Sequence, residues 1–563
     1  MRNLFHVYYN MLFRKKLVNR IVAMGKLIVI SSDIQINEDS KNAFDLCDNL
    51  NNGNWYYMSV QERNSYVPST EAKRNGQLNE KVFVNKGTLL NLVDGTEKVP
   101  HGTRMVLCPV KTSFKYRVWP HWLAAVEVCL LSIVIGLCGG WTSPYLAKLT
   151  SENSTNRITE SEASWVASYI NIGRTLGAVM GGISTEYIGS KKTVWYTGIP
   201  LLLGWVVLTV AESVVWIYVS RVSFGIGMGM FFACFPLYIG EIADPSIRGA
   251  LVSVIMNGFP IGNLLGNVMG PYMDMITFSC VSLVLNIVFL LLFVLLPDSP
   301  HFLIRHDRIE EATKSIEWYH RGVDVPSEVL SLKDFVQTNS LTLVDKWREI
   351  NTPRNRKSLL VIGLLFIFMQ LSGVYSIVYY MEILMREAKV TVLDPAEVVI
   401  ISSIAGIVSG WISVFAIDRC GRKVLLTIST SGVAVSIAAL GVHYTLLTNG
   451  YDPAPLQALP IASMCFFQLF VCIGIMPIPS TILSEMFAPN VKGVAAFVAS
   501  ITSGVFAFLS SKTFQPLVDL LSTEYVLYLY AIGMLIFMTL SLLCVPETKG
   551  KSLQDIQKML ENK

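Results

Sequence analysis

The sequence predicts an all-α membrane protein of twelve transmembrane helices arranged as two homologous six-helix bundles. Three observations carry this reading. The chain is too apolar for a water-facing surface, apolar stretches of spanning length recur twelve times, and three loop signatures each occur twice at nearly one interval. With 52 % hydrophobic and only 15 % charged residues and a mean hydropathy of +0.48, lipid rather than water is the expected surroundings. The formal net charge is only +4, and the basic residues fall in blocks between apolar runs instead of forming one stripe, which excludes nucleic acid as a partner. The ten cysteines lie singly, mostly inside apolar runs, with no close pair that would build a metal or redox site, and read as small buried hydrophobes.

Residues 1–118 read as a cytosolic, largely disordered tail. The stretch from 31 onward is polar, rich in Asn, Ser, Lys and Asp, and has no sustained period with which to bury a face. Arg14, Lys15, Lys16, Arg20 and Lys26 precede any apolar stretch, and no small-residue cleavage pattern follows, so no signal peptide is expected; Met24 offers a second initiation point. From Trp122 the apolar runs begin. At 1.5 Å per residue each can cross a hydrocarbon core of roughly 30 Å. The first six cover 121–141, 163–185, 193–212, 215–239, 250–271 and 275–296, placing an N-terminal bundle at 119–296. Residues 297–357 form a charged linker in which Ile309 to Tyr319 has apolar residues spaced for one helix face, with Glu310, Glu311, Lys314 and Glu317 elsewhere. The second six runs cover 358–381, 395–416, 424–446, 457–483, 493–515 and 525–545, a C-terminal bundle at 358–546 followed by a short tail, 547–563.

Lys and Arg placement sets the orientation. The N-terminal tail, the linker and Arg419, Arg422 and Lys423 are strongly basic, whereas the opposite loops hold only Lys148, Arg157, Arg386 and Lys389. The basic side, with both termini, is therefore expected in the cytoplasm of a cell-membrane protein. The one Asn-x-Ser/Thr sequon, at Asn153, falls on the opposite side, where a glycosylating enzyme has access.

The repeat is the strongest signal. Glu241, Pro245, Arg248 and Gly249 return as Glu485, Pro489, Lys492 and Gly493, all at an offset of 244. Glu186-Tyr-Ile-Gly189-Ser-Lys191 returns at 232 as Asp418-Arg-Cys-Gly421-Arg-Lys423, and Pro297-Asp298-Ser299 at 249 as Pro546-Glu547-Thr548. Paired halves of this kind create a midplane site that rocks between two openings. Charges at the helix ends then suggest a lock, in which a carboxylate of one bundle pairs with a cation of the other while the cytoplasmic mouth is shut.

On these signatures the chain resembles the sugar-porter branch of the major facilitator superfamily. Gly140-Trp-Thr-Ser-Pro144, Glu162-Ala-Ser-Trp-Val166 and Lys512-Thr-Phe-Gln515 are most similar to the insect facilitated trehalose transporter group. The resemblance implies the major facilitator fold and a gating role for Glu186, Lys191, Glu241, Arg248, Asp418, Arg422, Lys423, Glu485 and Lys492. The first copy departs from the family pattern, with Glu186 in place of Asp and Ser190 in place of a basic residue, so its lock is expected to be the weaker. The resemblance also places sugar-holding amides and a Trp in the second half, but of these only Gln370 is retained; Met369, Met256, Tyr375, Ser503, Gly406 and Ser480 stand elsewhere.

The remaining candidates for substrate binding are Gln370, Tyr375, Tyr379, Ser480 and Ser503, with Tyr380 beside them: hydrogen-bonding groups and aromatic faces suited to a polyhydroxy ligand. Gln370 and Tyr375 lie about 140° apart on a straight helix, so convergence needs a break near Gly373. Tyr379 and Tyr380 read equally as an interfacial aromatic belt. Two charges fall inside spans, Glu127 and Arg174. Their estimated depths favour an ion pair, with an anion-binding Arg174 as the sharper alternative. Cys138 stands where proton-coupled relatives carry an Asp, which points to facilitative transport unless Glu127 carries the proton. The sequence shows no nucleotide-binding loop, catalytic triad or metal cluster, so neither an enzyme nor a cofactor is expected. Facilitative transport of a small-molecule substrate, a sugar such as trehalose, is the leading expectation. It competes with a carrier for another organic solute, proton-coupled or anionic, and with a non-transporting sugar sensor.

Overall fold

The computed structural model describes residues 30–31, 103–104 and 118–549, less the short stretches 153–156, 245–246, 322–323, 339–342 and 488. Within residues 1–113, which form a unit of their own, the description comprises one antiparallel pairing, β1 (Ile30–Ser31) with β2 (Thr103–Arg104). The expected tail and the sequon at Asn153 otherwise lie outside the described residues.

From Trp119 to Cys544 the described elements are all helices. Span 1 is α1 (Trp119–Gly140) continued by α2 (Thr142–Thr150), span 2 is α3 (Glu160–Tyr187), and span 3 is α4 (Ser190–Thr209). Spans 4 to 6 are α5 (Val214–Ile242), α6 (Arg248–Tyr272) and α7 (Met275–Phe293). Four short helices form the linker: α8 (Pro300–Arg305), α9 (Ile309–Tyr319), α10 (Val325–Thr338) and α11 (Leu343–Ile350). Span 7 is α12 (Pro353–Leu371) with α13 (Val374–Glu387), followed by α14 (Pro395–Cys420) and α15 (Arg422–Thr448). Span 10 joins α16 (Ala458–Phe470) to α17 (Pro477–Met486), and α18 (Pro489–Leu521) and α19 (Thr523–Cys544) complete the set. Ten of these twelve spans meet criteria of length and apolarity for crossing a membrane. The other two, α3 and α4, are 28 and 20 residues long; the polar residues of α3 line the seam between the halves described below.

Local chemistry explains the starts and interruptions. Thr159 caps α3: its backbone N–H donates to the Glu162 carboxylate at 2.8 Å, and the Glu162 N–H donates back to the Thr159 hydroxyl at 3.2 Å. Span 7 breaks at Gly373, whose φ of +75° is left-handed; a Cβ there would also meet the Tyr530 ring at 2.4 Å. Span 10 contains a π-helical turn at Val471–Ile475. Ser429 wedges it open, donating its hydroxyl to the Phe470 carbonyl and accepting the Ile475 N–H at 3.0 Å, just before Pro477, which has no N–H to give.

Within the first half the helices touch backbone to backbone. A Cβ on Gly225 of α5 would sit 2.1 Å from the Ile170 carbonyl of α3, and one on Gly262 of α6 would sit 2.0 Å from the Ile133 carbonyl of α1. Small residues spaced four apart (Gly173, Gly177 and Gly181; Gly258, Gly262 and Gly266) make these approaches possible. The linker helix α9 matches the amphipathic run at 309–319, burying Ala312, Ser315, Ile316 and Tyr319 along one face.

Candidate functional site: a polar cluster between the halves and a duplicated loop network

Span 2 of the first half runs beside span 11 of the second. Along this seam Ser164 donates to the Lys512 carbonyl (3.3 Å), Asn171 to Ser511 (3.1 Å), and Arg174 to the Ser503 hydroxyl (2.9 Å). Ser503 also accepts from the Gln370 amide at 2.7 Å. Arg174 reaches Tyr375 as well, donating to its hydroxyl at 3.4 Å with the guanidinium 5.4 Å from the ring centre. The break at Gly373 thus lets Gln370 and Tyr375, which a straight helix would turn apart, reach one cluster through Ser503 and Arg174. Tyr379 lies beside Tyr375 with its ring tilted to it, ring centres 5.9 Å apart.

Other candidates fall elsewhere. Ser480 is exposed on α17, with no hydrogen bond to the cluster. Tyr380 turns into the second half against Phe514, ring centres 4.8 Å apart. Tyr379 and Tyr380 are both buried, 5 % and 3 % exposed, which removes the aromatic-belt reading for them. The expected Glu127 to Arg174 ion pair is not formed. Arg174 lies on the face of α3 that meets α18, whereas Glu127 lies within electrostatic reach of Lys191 and has a buried, unpartnered Oε2. Sequence spacing gave similar depths but not facing directions. Arg221 is structural. Fully buried, it donates to the carbonyls of Val166 (3.2 Å) and Cys138 (2.8 Å) and to Thr142 (2.6 Å), tying α3 to the junction of α1 and α2.

Sequence reasoning did not single out Ser164, Asn171 and Thr175. Their spacing of seven and four puts them on one face of α3, a polar stripe in an apolar span and the signal that would have found them. At the far end of span 7, the Glu382 N–H donates to Ser143 (3.1 Å) and Arg386 to the Ala147 carbonyl (3.2 Å), joining α13 to α2.

The loop signatures assemble at the other end as two equivalent networks. Gly189 and Gly421 share one backbone conformation, φ +92° and +90° with ψ 159° and 158°, and start α4 and α15. In the second half the next residue, Arg422, pairs with Glu485 at 2.7 Å, Thr548 donates to Glu485 at 2.5 Å, and the N–H groups of Arg422 and Lys423 donate to Glu547. In the first half Ser190 occupies the place of Arg422 and donates to Glu241, while Lys191 pairs with Asp298 at 3.8 Å. Glu186 pairs with Arg305 of the linker at 2.6 Å. Arg248 donates to its own loop at the Ala243 carbonyl (3.3 Å), and Lys492 lies within electrostatic reach of Glu485 and of Arg248 across the seam. The side chain of Asp418 is outside the described residues. Of the three ion pairs above, Arg422–Glu485 lies within the second half and the other two tie the first half to the linker; none of the three joins the two halves.

The linker docks at this end through aromatic contacts: Trp318 lies edge-on to Trp119 at 5.8 Å, and the Tyr319 and Tyr238 hydroxyls are 2.9 Å apart. Burial, then the positive Arg248 and His320, hold the His301 imidazole of α8 well down, at about 4. Burial lowers His320 too. A histidine depressed from 6.5 stabilises the fold fully above its unfolded value and loses that contribution as pH falls toward the folded one. Acidification from 6.5 to 4 is therefore expected to loosen the linker. Protection factors over Ile309–Tyr319, taken relative to intrinsic exchange at each pH, should fall across that window and His301→Gln should flatten the fall; a profile the substitution leaves unchanged would remove His301 from the account.

Two six-helix halves, a polar cluster at their seam and a loop network present once in each half define the class: a multi-pass membrane carrier of the major facilitator type. The chain belongs to the sugar (and other) transporter family, whose model matches residues 124–560. It is 32 % identical over 453 residues to the facilitated trehalose transporter Tret1 of Bombyx mori, spanning 80 % of this chain and 88 % of that one. Against the Tret1 protein of Aedes aegypti it is 30 % identical over 447 residues, covering 79 % of this chain and 55 % of that longer protein. Among solved structures it is similar to the partially occluded, inward-open xylose transporter XylE of E. coli, with a TM-score of 0.65 and 20 % identity, over 77 % of this chain and 99 % of that one.

Proposed function

We propose that the protein is a facilitative carrier that moves a sugar by alternating access between its two halves, with trehalose, named for its insect relatives, as the first cargo to test. The observation that carries this reading is the cluster of Gln370, Ser503, Arg174 and Tyr375, to which both halves contribute and around which they can rock. Its hydroxyl, amide and aromatic groups suit a polyhydroxy ligand. The basic loop end faces the cytoplasm of a cell-membrane protein, both termini lie there, and the duplicated networks there act as the gate.

Uptake of labelled trehalose and glucose into proteoliposomes holding the full chain tests this reading. Saturable uptake that needs no proton gradient supports it. Dependence on an inward proton gradient would overturn the facilitative part and direct attention to Glu127, whose Oε2 is buried without a partner.

A further inference from the structure

The cluster between the halves holds a charge that sugar recognition does not require. Arg174 contacts Ser503 and Tyr375, both neutral, and among the described residues no carboxylate pairs with it. Two other arginines are differently placed: Arg221 is fully buried and donates to two carbonyls and a hydroxyl, and Arg386, near the end of span 7, has Glu382 at 3.4 Å. Arg174 is only partly buried, and a guanidinium carries five N–H donors, so it retains donors beyond those Ser503 and Tyr375 accept. An arginine inside a span without an opposite charge is costly to keep and marks a ligand or a pathway.

A second group points the same way. Gln370 is fully buried; its Nε2 donates to Ser503, while its Oε1 has no partner. Gln370 and Arg174 both donate to the one Ser503 oxygen, at 2.7 and 2.9 Å, so the orphan acceptor and the unpaired cation are neighbours. A hydroxyl satisfies the first and an acid group the second.

We infer that the cargo is a polyhydroxy compound bearing an acid group, carboxylate or phosphate, with the acid on Arg174 and a hydroxyl donating to Gln370 Oε1. The planar guanidinium matches either oxyanion in a forked geometry, and the Tyr375 ring lies beside it, with Tyr379 next to that ring. The inference rests on the carrier reading above and specifies the charge of what is carried.

The test is uptake by the reconstituted full chain of four probes: D-glucose and trehalose as neutral references, D-glucuronate as the carboxylate and D-glucose 6-phosphate as the phosphate. One acid should be taken up with kcat/KM at least about tenfold above both neutral sugars, and which acid it is identifies the oxyanion. Arg174→Gln should lower that acid-to-glucose ratio by about tenfold or more, with Arg174→Lys between, a pattern of lost oxyanion discrimination. Should the variants fail to fold, competition on the wild-type protein decides instead, the acid displacing labelled glucose or trehalose at lower concentration than the unlabelled sugar does. Uptake of neutral sugar with no preference for either acid overturns the inference and leaves the carrier reading standing. Acid preference that survives Arg174→Gln also overturns it, and uptake of none of the four overturns both.

Discussion

Gly225→Leu is expected to leave almost no folded protein, while Gly533→Ala leaves accumulation and stability unchanged or slightly improved. Both positions are glycines within helices and differ only in what they face. A Cβ on Gly225 meets the Ile170 carbonyl at 2.1 Å and the Arg174 nitrogen and Gly173 Cα at 2.8 Å, all backbone, so relief requires α3 and α5 to move apart. Overpacking commonly costs about 1–3 kcal/mol where side chains can shift, and here none of the three nearest atoms belongs to a side chain. Separating α3 from α5 would also disturb the α3–α18 seam that holds Arg174 and Asn171. Gly533 has nothing within 4 Å of its Cβ position, and alanine there gains about 0.5–1 kcal/mol of helix preference. Size-exclusion profiles and melting temperatures of the detergent-solubilised proteins check the contrast; a monodisperse, normally melting Gly225→Leu would show that the seam is not packed as described.

Arg422→Ser, which copies the first-half residue into the second, is expected to weaken the loop network and make the α14 to α15 loop more accessible. The Arg422 and Glu485 side chains are 11 % and 25 % exposed, so removing the cation leaves a partly buried carboxylate held by the Thr548 hydroxyl and the more distant Lys492 charge. A cost of about 1–3 kcal/mol follows, below that of a fully buried pair. The native Cys420, exposed two residues before Arg422, provides the probe: its alkylation by a membrane-impermeant maleimide should speed up several-fold. The reciprocal Ser190→Arg gives Glu241 a charged partner, and transport should slow if opening requires the network to break. Unchanged labelling in Arg422→Ser would assign the pair to static packing.

Much of the architecture was legible because its signals are local or repeated. The amphipathic period at 309–319 fixes a helix whatever surrounds it, and three signatures at offsets of 244, 232 and 249 fix the two-fold arrangement. Hydropathy is a poorer guide for α3, because the face it turns to the second half is polar. The site was legible in part. Gly373 announced the break that lets Gln370 and Tyr375 share a cluster. Whether Arg174 meets Glu127 or Ser503 depends on which face of α3 each neighbour covers, and a single sequence carries depth but not facing direction. The partners of the loop charges were hidden for a related reason. Acid and base at helix ends signal a lock, but only the folded loops determine which carboxylate each base reaches, and the serine hydroxyl at 190 stands in for a guanidinium in a way that charge counting overlooks.

The π-helical turn at Val471–Ile475 has a consequence for numbering along span 10. One extra residue in a helix rotates everything beyond it by about 100° about the axis. A wheel drawn straight through the span is therefore out of phase from Met476 onward. It also means that the direction in which Glu485 points is encoded by a count of residues rather than by their identity. Shortening Val471–Ile475 by one would turn the whole of α17, its acid included, away from Arg422, a change of phase that no substitution can produce.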